Sequence, residues 1–303
     1  MGITEDSIEA IVPERLDGTR ADKAVAELAA VSRSVAKAML EQGLATLDGA
    51  TVAASSRVAA GATLLATPPP PFVLQPEHID FEVLYEDEDV AVIDKPPRVV
   101  VHPGAGNAAG TLAAGLVQRW PQIEGVGEAN RWGIVHRLDR DTSGTLVVAK
   151  TAVAHSALTA ALAQRQVHRV YTALVVGAFE IPTGTIDAPL GRDPRDPTRF
   201  AIAAEGREAI THYEPIEPYR DTTLLRVTLE TGRTHQIRVH LASIGHPVCG
   251  DAVYGSGGGP AVPRIFLHAA AVEFAHPATG DRVVVTAPLP NDLAAVLEGL
   301  AGA

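Results

Sequence analysis

The 303-residue chain predicts an α+β fold: a mixed, largely antiparallel central sheet with flanking helices, preceded by a small α/β module. Three observations carry this expectation. Beyond residue 80, candidate strands outnumber candidate helices and do not alternate strictly with them, which disfavours a doubly wound parallel sheet. The run "TPPPPF" (67–72) divides the chain, because successive prolines favour extended polyproline II and cannot continue a helix. The stretch ahead of it reads as two short helices and a hairpin, small but within the range that folds alone. The expected domains are 1–72, with a core at about 14–66 followed by the linker, and 73–303.

In the first module, "ADKAVAELAA" (21–30) has helical spacing. Ser32 is the N-cap expected for a second helix over 33–42, and Gly43 stops it. Val35 with Met39 and Ala36 with Leu40 recur at i, i+4 and give that helix one apolar face. "LATLDGATVAA" alternates around Asp48-Gly49, a strong hairpin signal. After the linker, "FEVLYE" (81–86) and "VAVID" (90–94) are strands flanking an acidic turn. "TLAAGLVQRW" (111–120) is a helix and "TLVVAK" (145–150) a buried strand. Val153, Leu158 and Leu162 mark a helix over 152–166. The stretches 169–179, 210–216, 224–230 and 282–287 are rich in β-branched residues and read as strands. A terminal helix, "NDLAAVLEGLA", is expected with Asn291 or Asp292 as its cap. "GSGGGP" (255–260) lacks the Gly-Lys-Ser/Thr ending of a phosphate-binding loop, and "GAGNAAG" (104–110) has the wrong spacing for a dinucleotide fingerprint. Both read as loops.

Apolar residues make up 46% and charged residues 20%, ordinary for a globular protein. Cys249 is the single cysteine, which excludes an internal disulfide framework and a cysteine-cluster zinc site and fits the cytoplasm. The acidic start "MGITEDSIEA" is not a signal peptide, and no apolar run approaches the roughly 18 residues of a membrane span. A net charge of −11 argues against a protein that coats nucleic acid non-specifically. The distribution is uneven. Residues 130–240 carry 14 basic and 12 acidic side chains, the only positive block, and nearly all the cations are arginines. Arginine suits bidentate contact with phosphates and carboxylates.

Three stretches carry chemistry: "HRLDRDTSG" (136–144), "RVYTALVVG" (169–177) and "TGRTHQIRVHLASIGHP" (231–247). In the first, Asp139 lies between Arg137 and Arg140, either as part of a salt-bridged surface loop or as a poised carboxylate. Asp141 is expected to bond the amides of the turn behind it. In the third, a strand ends at Thr231-Gly232. Thr234 is the expected cap of a helix from His235 to Ile244, which Gly245 and Pro247 terminate. Ile237, Leu241 and Ile244 would form its buried stripe, and His235 and Arg238 share a face at i, i+3. Arg233, His235 and Arg238 crowd a helix start, where an anion is favoured: a phosphate, or the carboxylate of Asp139. His235, His240 and His246 are spaced too irregularly to share a metal, so no metal site is expected.

Together these stretches resemble the RluA/RluD family of pseudouridine synthases. "HRLDRDTSG" matches that family's signature. "KPPRVVVHPG" (95–104), "IDAPLGRDPRD" (186–196) and "TGRTHQIRVHLASIGHPVCGDAVYG" (231–255) resemble its other motifs, in its order and spacing, so the resemblance covers about residues 80–287. The first module is similar to the αL RNA-binding module of ribosomal small-subunit proteins. Arg98 stands where the family usually has glycine, Trp132 stands where it usually has proline, and the module carries only 6 basic residues against 9 acidic up to residue 75.

The resemblance implies isomerisation of uridine to pseudouridine in RNA by a monomer that needs no cofactor and no membrane. Large-subunit ribosomal RNA or its assembly intermediate is the first choice of partner, and transfer RNA the second. It implies that Asp139 is the catalytic carboxylate and that Arg238 pairs with it. Tyr171 would stack on the extracted uracil and assist removal of the proton from carbon 5. Arg137 would fill the space the base leaves in the RNA, and His136, Arg233 and His235 would bind substrate. A glycosidase would need two opposed carboxylates, and Asp139 and Asp141 on one loop are a poor pair for that. The non-enzymatic alternative is an RNA-binding ribosome-assembly factor with an idle site.

Overall fold

A computed structural model describes residues 7–68, 73–104, 107–127, 130–179, 183–255 and 257–302. The linker residues 69–72, residues 105–106 of "GAGNAAG" and Ser256 of "GSGGGP" lie outside them. The chain forms two compact units, Met1–Val73 and Leu74–Ala303.

The first unit contains β1 (Ile8–Ile11), α1 (Ala21–Leu28), α2 (Arg33–Glu41), β2 (Ala45–Leu47) and β3 (Thr63–Ala66). Its antiparallel sheet has the order β1-β3-β2. Ser32 Oγ accepts the Val35 amide at 3.3 Å and caps α2, while Gly43 at φ +71° turns the chain out of it. Val25, Ala36, Met39, Leu40 and Leu64 form the core. The hairpin expectation is corrected in part. Asp48 and Gly49 both take positive φ and make the tight turn, but residues 51–54 do not return as a strand. β2 pairs instead with β3, fifteen residues further on, where Leu64 and Ala66 are buried.

The second unit contains, in chain order, β4 (Glu82–Glu86), β5 (Val90–Lys95), α3 (Leu112–Arg119), β6 (Ser143–Ala149), α4 (Ala152–Ala163) and β7 (His168–Val176). Then come β8 (Gly184–Asp187), β9 (Leu190–Arg192), β10 (Phe200–Ile202), β11 (Ile210–Pro218), β12 (Thr222–Leu229), α5 (Gln236–Ser243), β13 (Leu267–Ala275), β14 (Arg282–Thr286) and α6 (Asn291–Ala301). The central sheet has nine strands in the order β4-β5-β6-β13-β7-β12-β11-β8, with β14 also on β13. Among the described residues, only β6 and β13 pair in parallel within it, so the sheet is mixed and largely antiparallel, as the sequence predicts.

β6 is buried along its whole length, which is why "SGTLVVA" reads as a continuous small and apolar run. Gly144 takes φ +114° there, and a Cβ on it would lie 2.2 Å from the Ala269 carbonyl, so only glycine lets β13 approach. Thr111 Oγ caps α3 and Thr151 Oγ caps α4. The cap expected for α6 is corrected: its N-cap is Pro290, with no side-chain bond, and Asp292 pairs with Arg264 Nε at 2.7 Å instead.

Candidate active site

Three segments converge on one cavity of about 700 Å³: the loop before β6, the inner face of β7, and the turn from β12 into α5. The cavity is lined by Asp139, Tyr171, Arg238, Arg137, His136, Arg233 and His235, together with His102, Arg169 and Arg207. Every site residue expected from the sequence faces the same space.

The α5 start is built differently from the expectation. Thr234 does not cap the helix; its N-cap is His235, in a left-handed conformation at φ +59° with no capping side chain. Gln236 does the tying, since its Oε1 accepts the Arg233 amide at 3.0 Å and the Thr231 hydroxyl at 2.8 Å, and its Nε2 donates to the Ile210 carbonyl. The first six residues of α5 are all buried, whereas Ile244, expected inside, is 38% exposed. The helix is packed on nearly all faces, so its apolar stripe is not what positions it.

Arg238 is the hub. Its Nε and Nη2 donate to the two oxygens of Asp251, each at 2.8 Å, and its Nη1 reaches Asp139 Oδ2 at 3.1 Å. The Asp251 side chain is fully buried and also accepts the Val253 and Tyr254 amides. Burial alone would raise the Asp251 carboxyl, but Arg238 and those two amides hold it below its usual range. Burial works against the Arg238 charge as well, yet Asp251 and then Asp139 raise its pKa above the ordinary arginine value. The Tyr254 ring lies under the guanidinium, 5.1 Å from its centre.

His235 Nε2 stands 4.0 Å from Asp139 Oδ1. Tyr254 Oη accepts the Phe200 amide at 2.9 Å and meets His235 Nδ1 at 2.9 Å. Donation of the hydroxyl hydrogen to Nδ1 would put the His235 proton on Nε2, facing Asp139. Burial pushes the His235 pKa down, against the pull of Asp139. His136 is also neutral, pushed down to about 3 by burial. Its Nε2 accepts the Val147 amide at 3.0 Å and anchors the loop to β6. Tyr171 is 5% exposed, and burial raises its hydroxyl pKa, so it enters reactions as the neutral phenol.

Arg137 is exposed at the rim. Arg140 pairs with Asp141 at 2.9 Å, leaving Asp139 to Arg238. The expectation that the Asp141 carboxylate bonds turn amides is corrected: the carboxylate pairs with Arg140, and the Asp141 backbone carbonyl accepts Arg264 Nη1 at 3.2 Å. Lys95 holds the loop from behind. Fully buried, it donates to the carbonyls of Pro96, Val99 and Arg140 at 2.7, 2.9 and 3.1 Å. His240 binds Thr211 and the Ala188 carbonyl, and His246 the Val176 carbonyl.

Asp251, Tyr254, Lys95 and Arg169 are the site residues the sequence reading did not single out. All four fall inside quoted stretches, but nothing in their spacing shows which partner they meet. Both departures noted above sit in strained backbone. Arg98 takes φ +67° where the family's usual glycine would be unstrained, and Trp132 takes φ +47°, which proline cannot adopt.

Among solved structures, the human RNA pseudouridylate synthase domain containing 1 protein superposes with a TM-score of 0.56 at 25% identity, covering 74% of this chain and 96% of its own. The human domain containing 4 protein, 22% identical with a TM-score of 0.59 over 73% of this chain and 93% of its own, shares the fold. The architecture is therefore that of the pseudouridylate synthases. The chain belongs to the RNA pseudouridylate synthase family, whose model matches residues 89–243, and it is an isomerase. A ribosomal large subunit pseudouridine synthase D from Nitrosomonas europaea is 44% identical over 98% of this chain and 88% of its own. An uncharacterized RNA pseudouridine synthase from Chloroflexus aurantiacus is 46% identical over 96% and 92%.

Proposed function

We propose that this enzyme isomerises specific uridines of large-subunit ribosomal RNA in the cytoplasm, with Asp139 as the catalytic carboxylate. The observation that carries the chemistry is the placement of Asp139: a cavity carboxylate held by Arg238 Nη1 at 3.1 Å with the His235 ring at 4.0 Å, whereas the other two acids of the lining, Glu208 and Glu230, pair with Arg165. The choice of RNA rests on relatives from Nitrosomonas europaea and Pseudomonas aeruginosa, which are named ribosomal large subunit pseudouridine synthase D.

In this reading the N1–C1′ bond of the uridine breaks, the uracil turns over, and a C5–C1′ bond forms. The proton on C5 leaves and N1 gains one. Atoms and electrons balance within the nucleotide, so the rearrangement requires no oxidant or co-substrate. The uridine has to leave its stack to reach Asp139. Tyr171 offers it an aromatic face inside the cavity, and Arg137 on the rim would occupy the gap left in the RNA. Arg238, fixed by Asp251, keeps Asp139 oriented without a rearrangement during reaction. The first unit acts as an RNA-binding module. Pseudouridine mapping of total RNA from cells with and without this gene tests the reading. Loss of signal at one or a few positions of large-subunit RNA is expected; loss confined to transfer RNA, or no loss, overturns the target.

A further inference from the structure

A group of cavity arginines is not accounted for by the chemistry of Asp139. Arg169 lies two residues before Tyr171 on β7, so both side chains leave the same face of the strand. It is only 7% exposed. Its Nη2 reaches the Glu230 carbonyl at 3.4 Å, a long bond, and its Nε is buried without a hydrogen-bond partner. Gly232 packs against its other end, since a Cβ there would fall 2.6 Å from Nη1. Arg207 and Arg233 line the same cavity. Arg233 donates its Nε to the Glu208 carbonyl at 2.9 Å, and its ionisation is pushed down by burial and then by Arg207, with Arg165 and Arg169 adding to the effect and Glu208 opposing it.

Among the described residues, none of these three guanidiniums has a carboxylate within 4.0 Å. The two acids at hand are taken. Arg165 binds Glu208 and Glu230 at 2.6 Å each, and Glu230 also meets His212 at 2.9 Å. A buried cation without a counter-charge is unfavourable, and a nearby anion removes both that cost and the mutual repulsion of the three.

Resting on the reading above, we propose that Arg169, Arg207 and Arg233 form a subsite for one phosphodiester of the RNA strand beside the uridine seated on Tyr171. A phosphodiester presents two non-bridging oxygens, which forked guanidiniums bind in charge-assisted pairs. Such a contact carries no sequence information. It fixes the register of the strand, so that the nucleotide entering the cavity is held by its backbone while its base meets Tyr171. Arg169 and Tyr171 are positioned by one strand, which couples the two contacts.

The test uses the full chain and an unmodified transcript of large-subunit ribosomal RNA. Dissociation constants and single-turnover pseudouridine formation are measured over a range of salt for wild type, Arg207→Ala, Arg169→Met and Arg169→Lys. Arg207 is exposed, so its loss leaves the core intact. Binding by Arg207→Ala is expected to weaken about tenfold at low salt, and the slope of log affinity against log salt to become shallower by about 0.7 to 0.9 for the lost contact. Arg169→Met should show the same change of slope with a slower rate, and Arg169→Lys should restore the slope. If Arg169→Met does not melt cooperatively, Arg207→Ala and Arg169→Lys decide. Wild-type slopes in Arg207→Ala and Arg169→Met, with pseudouridine still formed by the wild type, overturn the subsite and leave the functional reading standing. Altered slopes with no pseudouridine formed by the wild type support the subsite and sink the reading instead.

Discussion

Arg238 reaches Asp139 from the anchor that Asp251 provides. With two of its three nitrogens engaged by a fully buried carboxylate, the guanidinium has one remaining edge, and that edge points at Asp139. Asp139→Asn is expected to lower the isomerisation rate by several orders of magnitude with little loss of stability, since no second acid lies in the cavity position it occupies. Turnover within about tenfold of wild type would remove Asp139 from its role. Asp251→Asn should behave differently. It keeps the shape but breaks a buried ion pair, so urea melts should show a loss of about 3 kcal/mol, and kcat should fall about a hundredfold as Arg238 and Asp139 lose their alignment. A kcat within twofold of wild type would show that Arg238 does not need this anchor. At this scale the sequence is read by residue type. Asp139, Tyr171 and Arg238 stand in recognisable motifs, and the structure brings them to one cavity. Asp251 and Tyr254 are silent because their meaning depends on a contact with α5, which no spacing rule reports.

The elements were legible where burial has a period. β5, β6, β7 and β12 lie within a few residues of their expected bounds because their runs are β-branched and apolar. β13 was missed, although it sits at the centre of the sheet. "LHAAAVEFA" is alanine-rich, a composition that favours helix, and tertiary pairing with β6, β7 and β14 overrides it. The short strands β8, β9 and β10 escape for lack of length. The left-handed His235 escapes because a helix-start rule expects an extended cap. The loop that carries Asp139 depends on Lys95, and this gives an expectation at the element scale. Burial, only partly offset by Asp141 and Asp139, lowers the Lys95 pKa from 10.5 to about 7. Above pH 7 the folded protein therefore binds fewer protons at this residue than the unfolded chain does. Its contribution to stability is fully present above about pH 10.5 and is lost as pH falls to about 7. Lys95→Met is expected to be less stable than wild type, because the Pro96, Val99 and Arg140 carbonyls lose the donors they share, two hydrogens once the amine is neutral. The gap between the two should widen by about 1 kcal/mol per pH unit between pH 7 and 10. Urea melts of both proteins across that range measure it; a gap that stays constant would mean Lys95 titrates alike in both states.

For the whole molecule, the question is what the first unit adds. Each unit has its own buried core, and all the cavity residues belong to the second. A chain beginning near Gln75 is expected to fold and to keep its chemistry on a short RNA hairpin, because nothing that lines the cavity is removed. On a long, structured ribosomal RNA it should bind more weakly, by a modest factor. The removed segment carries 6 basic and 9 acidic side chains, so it can make few phosphate contacts and its share of the salt dependence must be shallow. The arginine-rich cavity wall should dominate that dependence, and the truncated chain should keep most of the wild-type slope. Pseudouridine formation on both substrates over a range of salt separates the cases. If truncation abolishes activity on the hairpin, the first unit is part of the catalytic core. If it changes nothing on the long RNA at any salt, the unit does not bind RNA in this protein, despite the sequence resemblance to a ribosomal module.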